Sequence, residues 1–181
     1  AIKKKPISLE VFSDKIQEME QQALILNKIS KNFNVKIPIT NSKSLSTAKL
    51  IARLSSNGVV CNVTAIFTFN QVRDVMKLLP KNTKIILSIF AGRIADSGKD
   101  PEELLRKIKK YVKNYKNVKL LWASTREVFN IFQAARSGCD IITVPYGIIS
   151  KLKYIGKNQT KFSLETVKMF KNDAEKAGYK I

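Results

Sequence analysis

The chain of 181 residues is 44% hydrophobic with only 7 Gly and 5 Pro, which suits one globular domain with a sizeable core and excludes a disordered or collagen-like polypeptide. Its 33 Lys and Arg against 14 Asp and Glu give a formal charge of +19, favouring anionic partners such as phosphates, nucleic acid or a membrane surface, and the absence of His removes the usual general base, every His triad and every His metal site. No run approaches the ~18 apolar residues that span a bilayer, and no apolar stretch backs the charged amino end "AIKKKPISLEVF", so a soluble cytoplasmic protein is expected.

Six short apolar runs read as strands, each followed by a helical pattern. The first, "PISLEVF", is followed by Ser13 as a helix-start signal. "FNVKIPI" comes next, and the helix after it ends at Gly58. "GVVCNVTAIF" leads into a helix opened by a Thr68 and Gln71 capping box. After "TKIILSIFAG", the sequence "DPEE" offers Asp100 as N-cap with Pro101 at the first helical position. "VKLLWAS" precedes a second capping box, Ser124 with Glu127, in a helix ended by Gly138. "CDIITVPYG" is the last strand, and "KFSLETVKMFKNDAEKAGYK" is a final helix with Ser163 as N-cap and a staple of Phe162 against Val167. Cys61 and Cys139 stand far apart inside apolar runs, which suits buried free thiols in a reducing cytosol better than a disulfide or metal site. The basic segment "RKIKKYVKNYKNVK" reads as a solvated surface rather than a dedicated nucleic-acid face.

Strand beginnings near residues 6, 33, 59, 84, 117 and 140 are 27, 26, 25, 33 and 23 residues apart, the scale of one strand plus one helix. Regular βα units with no GxGxxG or Walker pattern favour a closed (β/α)8 TIM barrel over an open doubly wound sheet. At this unit length a full barrel needs about 215 residues. The expectation is therefore a single, partial TIM-barrel domain over residues 1–181, with about six of the eight βα units and a C-terminal helix, the deficit lying at the start.

Side chains alternate faces along a strand. Val35, Ile37 and Ile39 form an apolar face for covering helices, leaving Asn34, Lys36, Pro38 and Thr40 on the other. Leu9 and Val11 likewise alternate with Ser8 and Glu10; Cys61, Val63 and Ala65 with Asn62, Thr64 and Ile66; Leu87, Ile89 and Ala91 with Ser88, Phe90 and Gly92. Glu10, Lys36, Asn62 and Ser88 are each 26 residues from the next, so they are expected at equivalent heights in a ring inside the barrel, whose C-terminal mouth is where this fold places its chemistry. A polar network kept only for packing specificity is the structural alternative, but burying a lysine and a glutamate without function is costly.

Partial desolvation disfavours an ammonium and frees an amine to attack a carbonyl, so a lysine in such a pocket points to Schiff-base catalysis. The protonated imine is an electron sink that eases carbon–carbon cleavage while a carboxylate and an ordered water move protons. In that chemistry Lys36 is the nucleophile, Glu10 and Thr64 hold the water, and Asn62 and Ser88 bind hydroxyls of a ketose. Arg93 offers a planar fork for a phosphate, and Ser124 and Arg126 lie at a strand end and helix start, where backbone N–H groups favour an anion. Ser124 reads equally as a helix cap.

"VKIPIT", "NVTAIFT" followed by Gln71, "SIFAGRIAD" and "WAS", in that order, resemble the transaldolase and fructose 6-phosphate aldolase family of class I aldolases over essentially the entire chain. The resemblance implies Lys36 as the Schiff-base lysine, Glu10 and Thr64 around the catalytic water, Asn62 and Ser88 as sugar contacts, and Arg93, Ser124 and Arg126 as phosphate contacts. Glu10 and Phe90 stand where fructose 6-phosphate aldolases tend to have Gln and Tyr, which favours the transaldolase branch. The implied reaction transfers a dihydroxyacetone unit between sugar phosphates of pentose phosphate metabolism, with no cofactor beyond the imine, no metal, and a homo-oligomer built with the terminal helix. The family's catalytic Asp on the first strand and its "TTNPS"-like segment on the second have no counterpart among these residues. Two open sheet edges and weak or absent turnover are therefore expected. An aldolase-type lyase, a basic nucleic-acid-binding protein and an inactive remnant are the alternatives.

Overall fold

The structure, a computed structural model, describes residues 5–80 and 82–179. Residues 1–4, which include Lys3 and Lys4 of the charged amino end, and Lys180, which the last helical sequence pattern took in, lie outside the described residues. The chain divides into two compact units, residues 1–145 and 146–181.

In the first unit, strands β1 (Ile7–Glu10), β2 (Phe33–Pro38), β3 (Cys61–Ile66), β4 (Ile85–Ile89), β5 (Val118–Trp122) and β6 (Ile141–Ile142) alternate with helices α1 (Ile16–Ile29), α2 (Ala48–Ser56), α3 (Phe69–Met76), α4 (Ala91–Asp96), α5 (Pro101–Tyr111) and α6 (Phe129–Arg136). The long spacing between the fourth and fifth strands is filled by two helices, α4 and α5. All five strand pairings are parallel and the sheet order is β1-β2-β3-β4-β5-β6. Strand order that never reverses is the winding of a barrel, whereas a doubly wound sheet has a switch point. The sheet also curls. Asn62 Nδ2 on β3 donates to Ser8 Oγ on β1 at 2.9 Å, although β2 lies between them and two strand spacings of a flat sheet measure about 9.6 Å. Six parallel strands curled against alternating helices fit a partial TIM barrel.

The apolar parity of the strands builds the core on the convex side. Val35, Ile37, Val63, Leu87, Ile89 and Leu120 are fully buried there, packed with helix residues such as Met19, Ile51, Leu54, Val75 and Leu105. Each such side chain contributes about 1.5–3 kcal/mol by leaving water. Helix ends follow local chemistry where the backbone permits it. Thr68 and Gln71 form the expected capping box, Asp100 accepts from Glu102 N ahead of Pro101, and Gly58 and Gly138 take left-handed φ values of 78° and 77° just past α2 and α6.

Three helix starts and one strand face differ from expectation. Helix α1 begins at Ile16 without a side-chain cap, because Ser13 Oγ is engaged by Lys15 N and Glu18. Ser124 has φ of 64° and does not cap α6, which starts five residues later; Asn130 Oδ1 accepts from Arg126 N and Glu127 N instead. In β3 the register shifts between Val63 and Ile66, with Ala65 at φ of 57°. This bulge adds one residue, breaks the alternation and turns Ile66 into the convex core.

The second unit holds α7 (Tyr146–Ile149), a 3-10 turn (Leu152–Tyr154) and α8 (Gln159–Ala177). Its long helix starts four residues before Ser163, with Asn158 as the cap accepting from Lys161 N. Phe162 consequently lies inside the first turn and not ahead of the helix, so it does not staple against Val167 as expected; its ring lies 4.3 Å from the Lys157 ammonium and 5.3 Å from the Tyr154 ring. No helix of the described residues is long and apolar enough to cross a membrane.

Candidate active site

Parallel pairing puts Glu10 beside Lys36 and Lys36 beside Asn62, one row across the concave face. Asn62 pairs with Ile86 rather than Ser88, so Ser88 stands one pleat further along β4 and the four residues do not share one height. Equal sequence spacing does not fix register, since helix and loop lengths enter the spacing while backbone pairing sets the register. The row nonetheless closes diagonally, with Ser88 Oγ donating to Asn62 Oδ1 at 2.6 Å. Asn62 thereby links Ser8, which parity placed on this face without assigning it a role, to Ser88.

Lys36 Nζ donates to Glu10 Oε2 at 3.1 Å. The lysine side chain is 30% exposed, and the Glu10 side chain, on the edge strand β1, is 51% exposed. The pair is thus a half-open ion pair and not a sealed one. Thr64, 2% exposed, is the last concave residue of β3 before the bulge, and its hydroxyl is buried without a protein partner. A buried orphan hydroxyl costs about 1–3 kcal/mol, so the position suits a water or a ligand hydroxyl.

At the C-terminal ends of β4 and β5 the cationic groups gather. The Arg93 guanidinium lies over the Phe90 ring at 5.4 Å, and Phe90 packs at 5.8 Å against Phe67. Arg126 Nη2 is held at 2.6 Å by Asp96 Oδ2, and Ser124 occupies the left-handed turn between β5 and α6. Lys36, Asn62, Thr64, Ser88, Phe90, Arg93, Ser124 and Arg126 all line one concave cavity of about 1060 Å³. Glu10 is not part of that lining and reaches the site through Lys36. The opposite end of the cavity carries Lys84 and Lys119. Parity could have found them, since each precedes a concave residue, Ile86 or Leu121, by two positions.

Behind the arginine-bearing turn runs a chain of polar contacts that sequence patterns do not reveal. Asn130 accepts from Arg126 N and donates to Gln133 Oε1 at 2.7 Å, and Gln133 donates to Glu102 Oε1 at 3.0 Å. Glu102, 6% exposed, also accepts from Arg136 at 2.8 and 2.6 Å and from Arg106 at 3.0 Å. The Arg136 guanidinium, aided by Gln133 and Arg106 and opposed by burial, holds the Glu102 carboxyl at about 2. Cys61 is a buried free thiol, as expected, whereas Cys139 is free but only half-buried; burial pushes them up to about 11 and about 12.

The family model for transaldolase/fructose-6-phosphate aldolase matches residues 1–181. Among curated relatives, the chain is similar to a "Probable transaldolase" of Caldicellulosiruptor saccharolyticus, 36% identical over 149 residues that cover 81% of this chain and 65% of the relative. It is similar to proteins of the same name from Thermoanaerobacter sp., 35% identical over 97% of this chain and 76% of the relative, and from Bartonella tribocorum, 34% identical over 98% and 76%. The match thus spans less than two thirds of the first of these relatives and about three quarters of the other two. The chain belongs to the transaldolase/fructose-6-phosphate aldolase family.

Proposed function

We propose that the concave face is a transaldolase-type Schiff-base site within six βα units of a (β/α)8 barrel. The observation that carries this reading is the in-register row Glu10, Lys36, Asn62 in a face whose cavity also holds Arg93, Ser124 and Arg126. An amine, hydroxyl-binding groups and an anion cradle then lie along one ligand-sized cleft, as a ketose phosphate requires.

In this reading Lys36 passes its proton to its ion-pair partner Glu10, the neutral amine attacks the ketose carbonyl, and the carbinolamine hydroxyl leaves as water with that proton, giving the protonated imine. Cleavage of the bond between the third and fourth carbons sends its electron pair into the iminium, forming an enamine, as the aldose phosphate departs and its new carbonyl gives up the hydroxyl proton. The enamine attacks the carbonyl of an acceptor aldose phosphate, which takes up a proton, and water then releases the new ketose from Lys36. Glu10 and Thr64 hold the water that shuttles protons, Asn62 and Ser88 bind donor hydroxyls, Phe90 forms the wall under Arg93, and Arg93, Ser124 and Arg126 receive the phosphate. No metal takes part. Sugar phosphates of pentose phosphate metabolism are the substrate class. The apolar residues Leu164, Val167 and Phe170, exposed on α8, are where a second copy would pack.

Borohydride reduction in the presence of fructose 6-phosphate, followed by peptide mapping, tests the nucleophile. The expected result is a stable adduct on Lys36 that Lys36→Arg abolishes; an adduct-free Lys36 in the wild type refutes it. The family description also names an aldolase, and donor consumption without an acceptor aldehyde distinguishes that lyase reading from transfer.

A further inference from the structure

The two arms of the anion cradle come from different βα units, Arg93 from α4 and Ser124 with Arg126 from the turn after β5. Something must set the distance between them. At Gly92 an added Cβ would stand 1.6 Å from Ser124 O, 2.8 Å from Ser124 C and 3.1 Å from Arg126 Cγ. The first two contacts are with backbone, which cannot rotate away as a side-chain tip can. Gly92 N also donates to Ala123 O at 3.4 Å, and Asp96, one helical turn further along α4, holds Arg126 at 2.6 Å. From its other side the turn is anchored by Thr125 Oγ1, which donates to Thr143 O at 2.6 Å. The left-handed backbone of Ser124, with φ of 64°, is what presents its carbonyl to the glycine.

We propose that Gly92 is a positioning residue for phosphate recognition: by admitting the Ser124 carbonyl where a side chain would stand, it sets the spacing between Arg93 and the Ser124–Arg126 turn. The inference rests on the reading of this cleft as a sugar-phosphate site and adds the element that fixes its phosphate end. A glycine here serves close backbone approach and not a left-handed φ. Misplacing a positioned group by an ångström or so costs up to about a hundredfold.

The test measures binding of glucitol 6-phosphate, which carries the phosphate on a six-carbon chain and has no carbonyl with which to form an imine. Calorimetric titration of the full chain is expected to show Gly92→Ala weakening this ligand about tenfold or more, with cooperative melting retained. Thr125→Ala frees the same turn without introducing a clash, is expected to weaken binding about threefold, and decides the matter if Gly92→Ala does not fold. Equal affinity in wild type and in the folded variant overturns the proposal, as does a wild type that binds no polyol phosphate. Failure of the catalytic reading is separately visible as an absent Lys36 adduct with a ketose phosphate while glucitol 6-phosphate binding still depends on Gly92.

Discussion

Replacing Glu102 by Gln removes the charge at the centre of the contacts between α5 and α6. The carboxyl is held at about 2 against an ordinary value of 4.5, a preference for the charged form of about 3 kcal/mol at ~1.4 kcal/mol per pH unit. Arg106 and Arg136 are half-exposed, so solvent screens part of that, and a loss of about 2 kcal/mol for Glu102→Gln at pH 7 is expected. Because the folded value lies below the unfolded one, this stability is fully present above about 4.5 and is lost as pH falls toward about 2. Urea titrations of both proteins from pH 7 to pH 3 should show a gap that narrows by more than half over that range. A gap under about 0.5 kcal/mol at pH 7, or one that stays constant on acidification, would refute the assignment of Glu102 as the charged hub.

Thr68→Ala removes the half of the α3 capping box in which Thr68 Oγ1 accepts from Gln71 N, leaves the backbone N–H of residue 68 donating to Gln71 Oε1, and should cost about 1 kcal/mol, read as a lowering of the melting temperature by about 2–4 °C. Cys139, pushed up to about 12 chiefly by burial and next by the Asp140 charge, should alkylate at pH 8 about one to two orders of magnitude more slowly than an ordinary thiol, the scarcer thiolate being partly offset by its greater nucleophilicity. Labelling of the native protein at the rate of the urea-unfolded chain would contradict that environment.

Much of the fold was legible because strand parity is fixed by covalent geometry. The alternation in "NVKIPI" specified which residues of β2 face the helices, and the buried Val35 and Ile37 follow it. Capping at Thr68 and Asp100 was legible because donor and acceptor lie within three residues. What local pattern could not give was register, where Asn62 meets Ile86 and not Ser88, or contacts between distant segments such as Glu102 with Arg136, 34 residues apart. Ser124 shows the same limit from the other direction: its match to a capping box was genuine as a pattern, but packing of its carbonyl on Gly92 accompanies a backbone from which no cap forms.

The bulge at Ala65 joins these two kinds of information. Strict alternation would have carried Ile66 to the concave face that bears Lys36 and Asn62 and set a large apolar side chain beyond Thr64. The extra residue, held at φ of 57° where an L residue is disfavoured, sends Ile66 to the convex core and leaves Thr64 as the last concave residue of its strand, hydroxyl unpartnered. A strained residue at this point costs about 1–3 kcal/mol, and full burial of Ile66 offsets a comparable amount. The local violation of strand periodicity therefore lies at the one step of β3 where the cavity would otherwise change from polar to apolar, next to the lysine proposed to carry the chemistry.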